Sequence, residues 1–196
     1  GALNINIQFL NSKLDKGQLN PELGKEVLDD LERDNKRAAT IVGSLRLIFT
    51  ESGIKNEEVK VGQIIDSVLE IVNSDLLAKN IQVDLNVDQN LRVHIKDAEF
   101  QQVFLNLINN AVQSISSLEA VKGHIQIEAT QNEDKAQISI SDNGSGVPKE
   151  QQLGLFELLN TTKETGMGLG LWLCKHIITR YEGSIYYKDA VGRGAK

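Results

Sequence analysis

The chain has 196 residues, of which 40% are hydrophobic and 24% charged, a composition typical of a globular protein with one good core or a small domain plus an appendage. A net charge of −6 without a dense cluster of Lys and Arg argues against nucleic-acid binding. The sequence contains no apolar run of the roughly 18 to 20 residues that cross a membrane, and its start lacks the basic region of a signal peptide, so we expect a cytoplasmic protein with no membrane segment in this chain.

Two amphipathic helices are predicted in the first quarter of the chain. The apolar residues of the first helix share one helical stripe and are Leu3, Ile7, Leu10 and Leu14. A turn follows, after which Asn20 can cap a second helix and Pro21 suits its first position. In the second helix, mostly apolar residues are spaced alternately three and four positions apart over about three heptads. These positions are Leu28, Leu31, Asn35, Ala38, Val42, Leu45 and Phe49.

The hairpin of these two helices has an apolar surface too wide for two helices to enclose. We therefore expect it to pair with another copy into a four-helix bundle, which makes the protein a homodimer. Asn35, a polar residue inside the repeat, can fix the register of the bundle. The alternative is that the hairpin packs on its own globular neighbour. A breaker at Ser52 and Gly53 ends this part, so the predicted domains are residues 1–52 and 53–196.

The second predicted domain has a mixed pattern of helices and strands. Predicted helices cover residues 61–72, 98–116 and 169–181. Predicted strands cover residues 81–87, 91–95, 125–129 and 136–141, with a last strand at Ile185 and Tyr187. Polar turns and interleaved helices predict an α+β sandwich with a mostly antiparallel sheet, covered by helices on one face. The single cysteine, Cys174, excludes an internal disulfide, and its apolar neighbours predict a buried, inert thiol.

A polar stripe, separate from the apolar face, runs along the predicted helix at 98–116. Its members are Gln102, Asn106, Asn110 and Gln113. Asn106 and Asn110 are one helical turn apart. A neutral amide oxygen can ligate Mg²⁺, which usually keeps waters and shares the phosphates of a substrate. The stripe is therefore a candidate metal and phosphate site, with a solvated helix face as the alternative.

The motif D-x-G-x-G follows the strand at 136–141. Strand parity puts Asp142 on the same face as the apolar residues Ile138 and Ile140, and an acid directed toward a core needs a partner. The exocyclic amine of an adenine would satisfy it, while Gly144 and Gly146 remove side chains where a base must approach the backbone. The alternative is a simple Asp-Asn-Gly turn.

A third glycine-rich segment opens the last long helix. Its residues Gly166, Gly168, Leu169 and Gly170 precede apolar helical residues, so free N–H groups and the helix dipole can bind phosphate there. Just upstream, the segment Thr161-Thr162-Lys163 offers two hydroxyls and an ammonium group to the terminal phosphates. The alternative for the glycine-rich segment is a helix start that binds no ligand, and the alternative for the Thr-Thr-Lys segment is a solvated loop.

Taken together, the asparagine segment, D-x-G-x-G, Thr-Thr-Lys and the last glycine segment resemble the boxes of the GHKL ATPase superfamily. The closest likeness is to bacterial sensor histidine kinases, and the hairpin resembles their dimerisation and phosphoacceptor domain. By this resemblance Asn110 would bind Mg²⁺, Asn106 would assist near the phosphates, and Asp142 would hold adenine. The resemblance also implies that a further set of residues binds ATP. They are Gly144, Gly146, Thr162, Lys163, Gly166, Gly168, Leu169 and Gly170.

The resemblance implies a histidine kinase core, the cytoplasmic part of a longer sensor. It would use ATP and Mg²⁺, phosphorylate a histidine on the hairpin, and pass the phosphoryl group to a response-regulator receiver domain. The family's phosphoacceptor segment would lie before Gly1, so this chain is expected to bind ATP without phosphorylating itself. The histidines present, which are His94, His124 and His176, do not match that segment.

Several residues depart from the family pattern. Residues 155–160 lack the Pro-Phe-Phe core usual before Thr-Thr-Lys, Met167 replaces a usual threonine, and Gln113 stands where Lys or Arg is common. These departures leave a non-catalytic dimeric scaffold for a response regulator as one alternative. An ATP-hydrolysing machine is the other, although the position where such relatives carry a water-activating glutamate is Asn106, a poor base.

Overall fold

The computed structural model of the chain describes residues 2–49, 57–118, 122–158, 168–189 and 194–195. The chain divides into two units, Gly1–Glu51 and Ser52–Lys196. Among the helices of the described ranges, none is long and apolar enough to cross a membrane.

The first unit consists of α1 (Ala2–Asp15) and α2 (Pro21–Phe49), as the apolar spacing predicts. The Asn20 side chain caps α2, since its Oδ1 accepts a hydrogen bond of 2.7 Å from the Leu23 N–H. Within this one copy of the unit, large apolar side chains stay exposed at Ile5, Ile7, Phe9, Leu14 and Leu28. The side chains of Val42, Leu45 and Phe49, which complete the predicted repeat, lie outside the described part.

The second unit contains both strands and helices. In chain order they are β1 (Glu58–Lys60), α3 (Val61–Ala78), β2 (Ile81–Val87), β3 (Arg92–His94), α4 (Asp97–Ser116), β4 (Gly123–Asn132), β5 (Lys135–Asp142), α5 (Lys149–Gln152) and α6 (Gly170–Arg180). The predicted helices and the first four predicted strands are confirmed, and α3 continues six residues past its predicted end at residue 72. The short elements β1 and α5 have too few residues to show a period in the sequence.

The strands form a three-stranded sheet in the order β2-β4-β5 and a two-stranded sheet of β1 and β3. β2 runs parallel to β4, because α4 carries the chain back between them, while β4 with β5 and β1 with β3 are antiparallel. From Gly123 to Ala129 every second residue of β4 is buried, including Ile125 and Ile127. Since α4 packs on β4 and β5, and α3 packs on β2, the helices cover one face. The predicted α+β fold class is confirmed.

The strand predicted at Ile185 and Tyr187 is wrong. Among the described residues of this region, the strand pairing is limited to isolated bridges from Ala195 to Asp142 and to Asp189. Ile185 and Tyr187 are half-buried while their neighbours are exposed. The alternation therefore indicates an extended segment that is covered on one side. Such a segment does not require a hydrogen-bonded strand beside it.

A buried ion pair joins the beginning of α4 to the end of α6. The Glu99 residue is 4% exposed, and its Oε2 accepts hydrogen bonds from the Arg180 guanidinium and, at 2.9 Å, from the Tyr181 hydroxyl. The Tyr181 hydroxyl in turn accepts a hydrogen bond of 3.2 Å from the Lys96 N–H. This network connects the two helices at the end remote from the glycine-rich start of α6.

Replacing Arg180 by Met is expected to lower the free energy of unfolding by about 2 kcal/mol. The substitution leaves Glu99 buried without its cationic partner, which typically costs about 3–5 kcal/mol, and the partial exposure of Arg180 reduces that cost. Urea denaturation followed by the fluorescence of Trp172 measures the change. The same substitution at Arg92, whose ion pair with Glu58 is exposed, is the control and should cost less than about 1 kcal/mol. Equal losses in the two variants would contradict a buried-pair role for Glu99.

Candidate functional site

The polar stripe of α4 lies at the edge of the core, because the opposite side of the helix is fully used in packing. Phe104 and Ile108 are 2% and 0% exposed and hold that side against the rest of the unit. Asn106, Asn110 and Ser114 are half-buried and follow one another at intervals of one turn. The helix thus presents three polar side chains along one line.

Asp142 ends β5 directly opposite Ile125 of β4 and is 8% exposed. Strand parity therefore predicts its direction correctly. Its Oδ1 accepts hydrogen bonds from the Ser114 hydroxyl at 3.2 Å and from the Gly144 N–H at 2.8 Å. Its backbone exchanges hydrogen bonds with Ala195, at 2.9 Å through the Asp142 N–H and at 3.3 Å through the Asp142 carbonyl. The carboxylate is consequently held at a defined position where β5 meets α4.

Gly144 is required by the close approach of α4. A Cβ atom at this residue would lie 2.5 Å from the Ser114 carbonyl carbon and 2.7 Å from the Ile115 nitrogen. The sequence predicted a glycine where a base approaches, whereas the structure fills the space beside Gly144 with protein. Gly146 and Gly168 have φ angles of +70° and +64°, a region that favours glycine.

Asn106 connects α4 to the first turn of α6. Its Nδ2 donates a hydrogen bond of 3.4 Å to the Gly170 carbonyl, and its Oδ1 accepts one of 3.3 Å from Gln102. Leu169 occupies the N-cap position and makes no side-chain cap, so the first N–H groups of α6 are not satisfied by a capping side chain there. The start of α6 therefore has the features of an anion-binding helix terminus.

Asn110 lies between these two contacts. Its side chain is half-buried and makes no hydrogen bond to any other residue of the described ranges. The amide oxygen is therefore available to a hard cation such as Mg²⁺, which accepts neutral oxygen ligands and shares its coordination with water and phosphate. In the same ranges, no group of three or more His, Cys, Asp or Glu residues is arranged to hold a metal ion.

The structure brings together Asn106, Asn110, Asp142, Gly144 and the start of α6. Of the remaining residues predicted to bind ATP, Thr162, Lys163 and Gly166 lie outside the described residues, as does Met167. Sequence reasoning missed Ser114. It continues the Asn106 and Asn110 spacing by one more turn, which is a signal in the sequence, whereas the predicted stripe ends at the exposed Gln113.

Cys174 is buried beside Asn106, and two of the histidines have partners outside this site. Cys174 is 0% exposed, so the predicted burial is confirmed, and burial raises the pKa of its thiol to about 12, which disfavours the reactive thiolate. His124 lies 2.8 Å from Asp84 on the open face of the sheet, and this hydrogen bond lowers the pKa of Asp84. His176 stacks on Trp172 with ring centroids 5.3 Å apart.

Comparison with known proteins gives matches over most of the chain. The family model described as Histidine kinase-, DNA gyrase B-, and HSP90-like ATPase matches residues 95–196. Sporulation kinase D of Bacillus subtilis (strain 168) is 31% identical over 168 residues, which make up 85% of this chain and 32% of that protein. The chain thus spans about a third of the length of this curated relative.

Solved structures match as well. The catalytic domain of histidine kinase ThkA in a nucleotide-free form has a TM-score of 0.65 at 26% identity, over 72% of this chain and 91% of that chain. ThkA in complex with the response regulator protein TrrA has a TM-score of 0.76 at 22% identity, over 99% of this chain and 56% of that chain. This second likeness is one of fold.

Proposed function

Because the chain belongs to the family of histidine kinase-, DNA gyrase B- and HSP90-like ATPases, and its relatives include sensor histidine kinases, we propose that it is a two-component kinase core that binds Mg·ATP. In this proposal the ATP-binding unit, residues 53–196, presents the terminal phosphate to a histidine on a dimerisation hairpin. The phosphoryl group then passes to a response-regulator receiver domain, and the protein acts in the cytoplasm.

The observation that carries the proposal is the order of contacts along α4. Ser114 touches Asp142 at one end of the polar line, Asn106 touches Gly170 at the other, and Asn110 lies between them. At a rise of 1.5 Å per residue, the two ends are about 12 Å apart. The line thus offers a carboxylate to the amine of a base, an amide to a cation and a helix terminus to phosphates. This order matches the order of groups in an extended adenine nucleotide.

Each of these residues has a separate task in nucleotide binding. The Asp142 carboxylate accepts the hydrogen bond of the adenine amine in a buried setting, where a charged acceptor is strong. Asn106 fixes the first turn of α6, whose N–H groups and dipole face the phosphates. Asn110 would ligate Mg²⁺, which when bound neutralises charge on the phosphates during phosphoryl transfer. Positioning of the reactants is then the main catalytic contribution of the chain.

The arrangement around Asn106 favours a kinase over an ATP-hydrolysing machine. A hydrolase needs a base that activates water near the terminal phosphate. An amide is a poor base, and the Asn106 amide already bonds Gln102 and Gly170.

The exposed apolar residues of the hairpin support the proposed homodimer. Ile5, Leu14 and Leu28 are 65%, 63% and 59% exposed in one copy of the hairpin. Pairing with a second hairpin would remove these side chains from water, with about 25 cal/mol gained per Å² of apolar surface buried. ThkA, whose fold the chain shares, has been solved in complex with a response regulator, and we extend that class of partner to this protein.

Phosphoryl transfer tests the proposal directly. The chain is incubated with Mg²⁺ and ATP labelled at the γ-phosphate, alone and with a hairpin that carries a phosphoacceptor histidine, supplied separately or within a longer version of the chain. We expect acid-labile label on the supplied histidine and none on this chain, since its three histidines all lie in the ATP-binding unit. ATP binding without label on any hairpin histidine would refute the kinase. If the chain does not bind ADP at all, that result would favour the non-catalytic dimeric scaffold.

Replacing Asn110 by Ala is expected to weaken ADP binding in the presence of Mg²⁺ by on the order of tenfold or more, as typical when groups that support a bound metal are removed. In EDTA the variant and the parent should bind ADP equally, because the amide acts through the cation. Calorimetric titrations with and without Mg²⁺ measure both. Asn109→Ala, at the exposed neighbour, is the matched control and should leave both affinities unchanged. Equal weakening of Asn110→Ala in EDTA would exclude a metal role.

A further inference from the structure

We propose that Ser114 is a positioning residue that orients the Asp142 carboxylate and thereby determines the preference of the site for adenine over a purine with a keto group at the same position. The inference rests on the proposed function, because it assigns a role to Ser114 within the nucleotide site.

The geometry at Asp142 provides the first step. The Ser114 hydroxyl and the Gly144 N–H donate to the same oxygen, Oδ1, at 3.2 Å and 2.8 Å. One donor comes from α4 and the other from the turn that follows β5, so they approach from different elements. Two donors on one oxygen fix the torsion of the carboxyl group, and the direction of the second oxygen, Oδ2, follows from that torsion.

The second step is that the backbone of Ser114 is itself held in place. It belongs to α4, and its carbonyl accepts hydrogen bonds from the Ser117 hydroxyl at 2.7 Å and from the Ser145 N–H at 3.3 Å. The turn therefore bonds back to the same residue that orients its aspartate. Gly144 makes this approach possible, because a Cβ there would lie 2.5 Å from the Ser114 carbonyl carbon. A donor whose backbone is fixed in a helix is well suited to favour one orientation of a carboxylate.

The third step concerns the ligand. Adenine presents an amine, which donates to a carboxylate, whereas hypoxanthine presents a keto oxygen at the same position and would face the carboxylate as a second acceptor. The energetic difference between the two bases depends on how well Oδ2 is aligned with the amine, since hydrogen bonds weaken steeply with angle. Without the Ser114 hydroxyl, Oδ1 loses the one of these two donors that comes from α4, so the carboxylate is held less tightly in one orientation and its bond to the amine weakens. A base that lacks the amine has no such bond to weaken.

The test compares ADP with IDP, the inosine nucleotide, in calorimetric titrations of the whole chain with Mg²⁺, with weak IDP binding measured by displacement of ADP. We expect Ser114→Ala to weaken ADP binding about fivefold to tenfold and to leave IDP binding unchanged, so that the ADP to IDP affinity ratio falls by the same factor. Ser116→Ala is the matched control. It removes a hydroxyl from the same helix that bonds the Val112 carbonyl at 2.6 Å, and both affinities should stay at parental values.

The readout separates positioning from folding. A variant that merely destabilises the site would lower the affinities for ADP and IDP equally. That result, an unchanged ADP to IDP affinity ratio, or a loss of all binding in Ser114→Ala would overturn the role of Ser114. If the parent chain binds ADP no better than IDP, the adenine site proposed at Asp142 is what fails. If the parent prefers ADP and Ser114→Ala keeps that preference, the nucleotide site stands and the positioning role falls.

Discussion

The Asp142→Asn variant is expected to bind ADP on the order of 100-fold more weakly than the parent chain while keeping its fold. A hydrogen bond to a charged group contributes about 1.5–3 kcal/mol, and the amide adds a conflict. Its oxygen can take the place of Oδ1, where Ser114 and Gly144 donate. The amide nitrogen then replaces the second carboxylate oxygen and presents a donor to the donor amine of adenine. Calorimetric titration with ADP and Mg²⁺ measures the loss.

Asp134→Asn is the matched control for this change. It makes the same substitution at an exposed position in the turn between β4 and β5, so it alters the net charge equally without touching the site. We expect parental ADP affinity for Asp134→Asn and the parental thermal unfolding midpoint for both variants. Retained ADP binding in a folded Asp142→Asn protein would show that the carboxylate does not hold the base.

Gly144→Ala is expected to destabilise the ATP-binding unit by about 3 kcal/mol, at the upper end of the usual cost of overpacking, and to abolish ADP binding. The added Cβ would lie 2.7 Å from the Ile115 nitrogen, which belongs to the backbone of α4 and cannot rotate away. Either the turn or the end of α4 must move. Both movements break the Ser114 hydrogen bond to Asp142, so stability and affinity fall together. Urea denaturation followed by Trp172 fluorescence, together with ADP titration, measures the two effects.

A second glycine of the same unit serves as the control. At Gly62, in the first turn of α3, a Cβ would meet its nearest neighbour, the Gln89 side chain, at 3.6 Å, which is ordinary contact. Gly62→Ala should therefore leave ADP binding unchanged and raise stability slightly, since Ala is the better helix former by about 1 kcal/mol. If Gly144→Ala unfolds at the same urea concentration as Gly62→Ala, the close approach of α4 does not constrain the turn.

The Asp142→Asn and Gly144→Ala variants distinguish a residue proposed to bind the nucleotide from a residue required for the packing of the fold. The D-x-G-x-G motif resembles a ligand-binding loop, and its aspartate is proposed to touch the ligand. Its first glycine serves the packing of α4 against the turn, which in turn lets Ser114 reach Asp142. A motif read from sequence thus combines one residue proposed for binding with another whose role is to let two elements approach.

Features that depend on local periodicity could be predicted from the sequence. Helical spacing placed Asn106 and Asn110 on one stripe, strand parity turned Asp142 toward the core, and Asn20 was recognised as a helix cap. These features depend only on residues within a few positions of one another, where backbone geometry fixes which side chains share a face. The roles of Thr162, Lys163 and Gly166 stay predictions, because those residues lie outside the described ranges.

Contacts between side chains far apart in the chain could not be predicted in this way. Ser114 reaches Asp142 across 28 residues, and Asn106 reaches Gly170 across 64. Such pairs depend on how α4 packs against β5 and α6, and no local period encodes that packing. The alternation at Ile185 and Tyr187 shows the same limit, because it reveals that one side of the chain is covered but not whether a strand lies beside it. Local periodicity determines which way a residue faces, and packing between distant elements determines what it contacts.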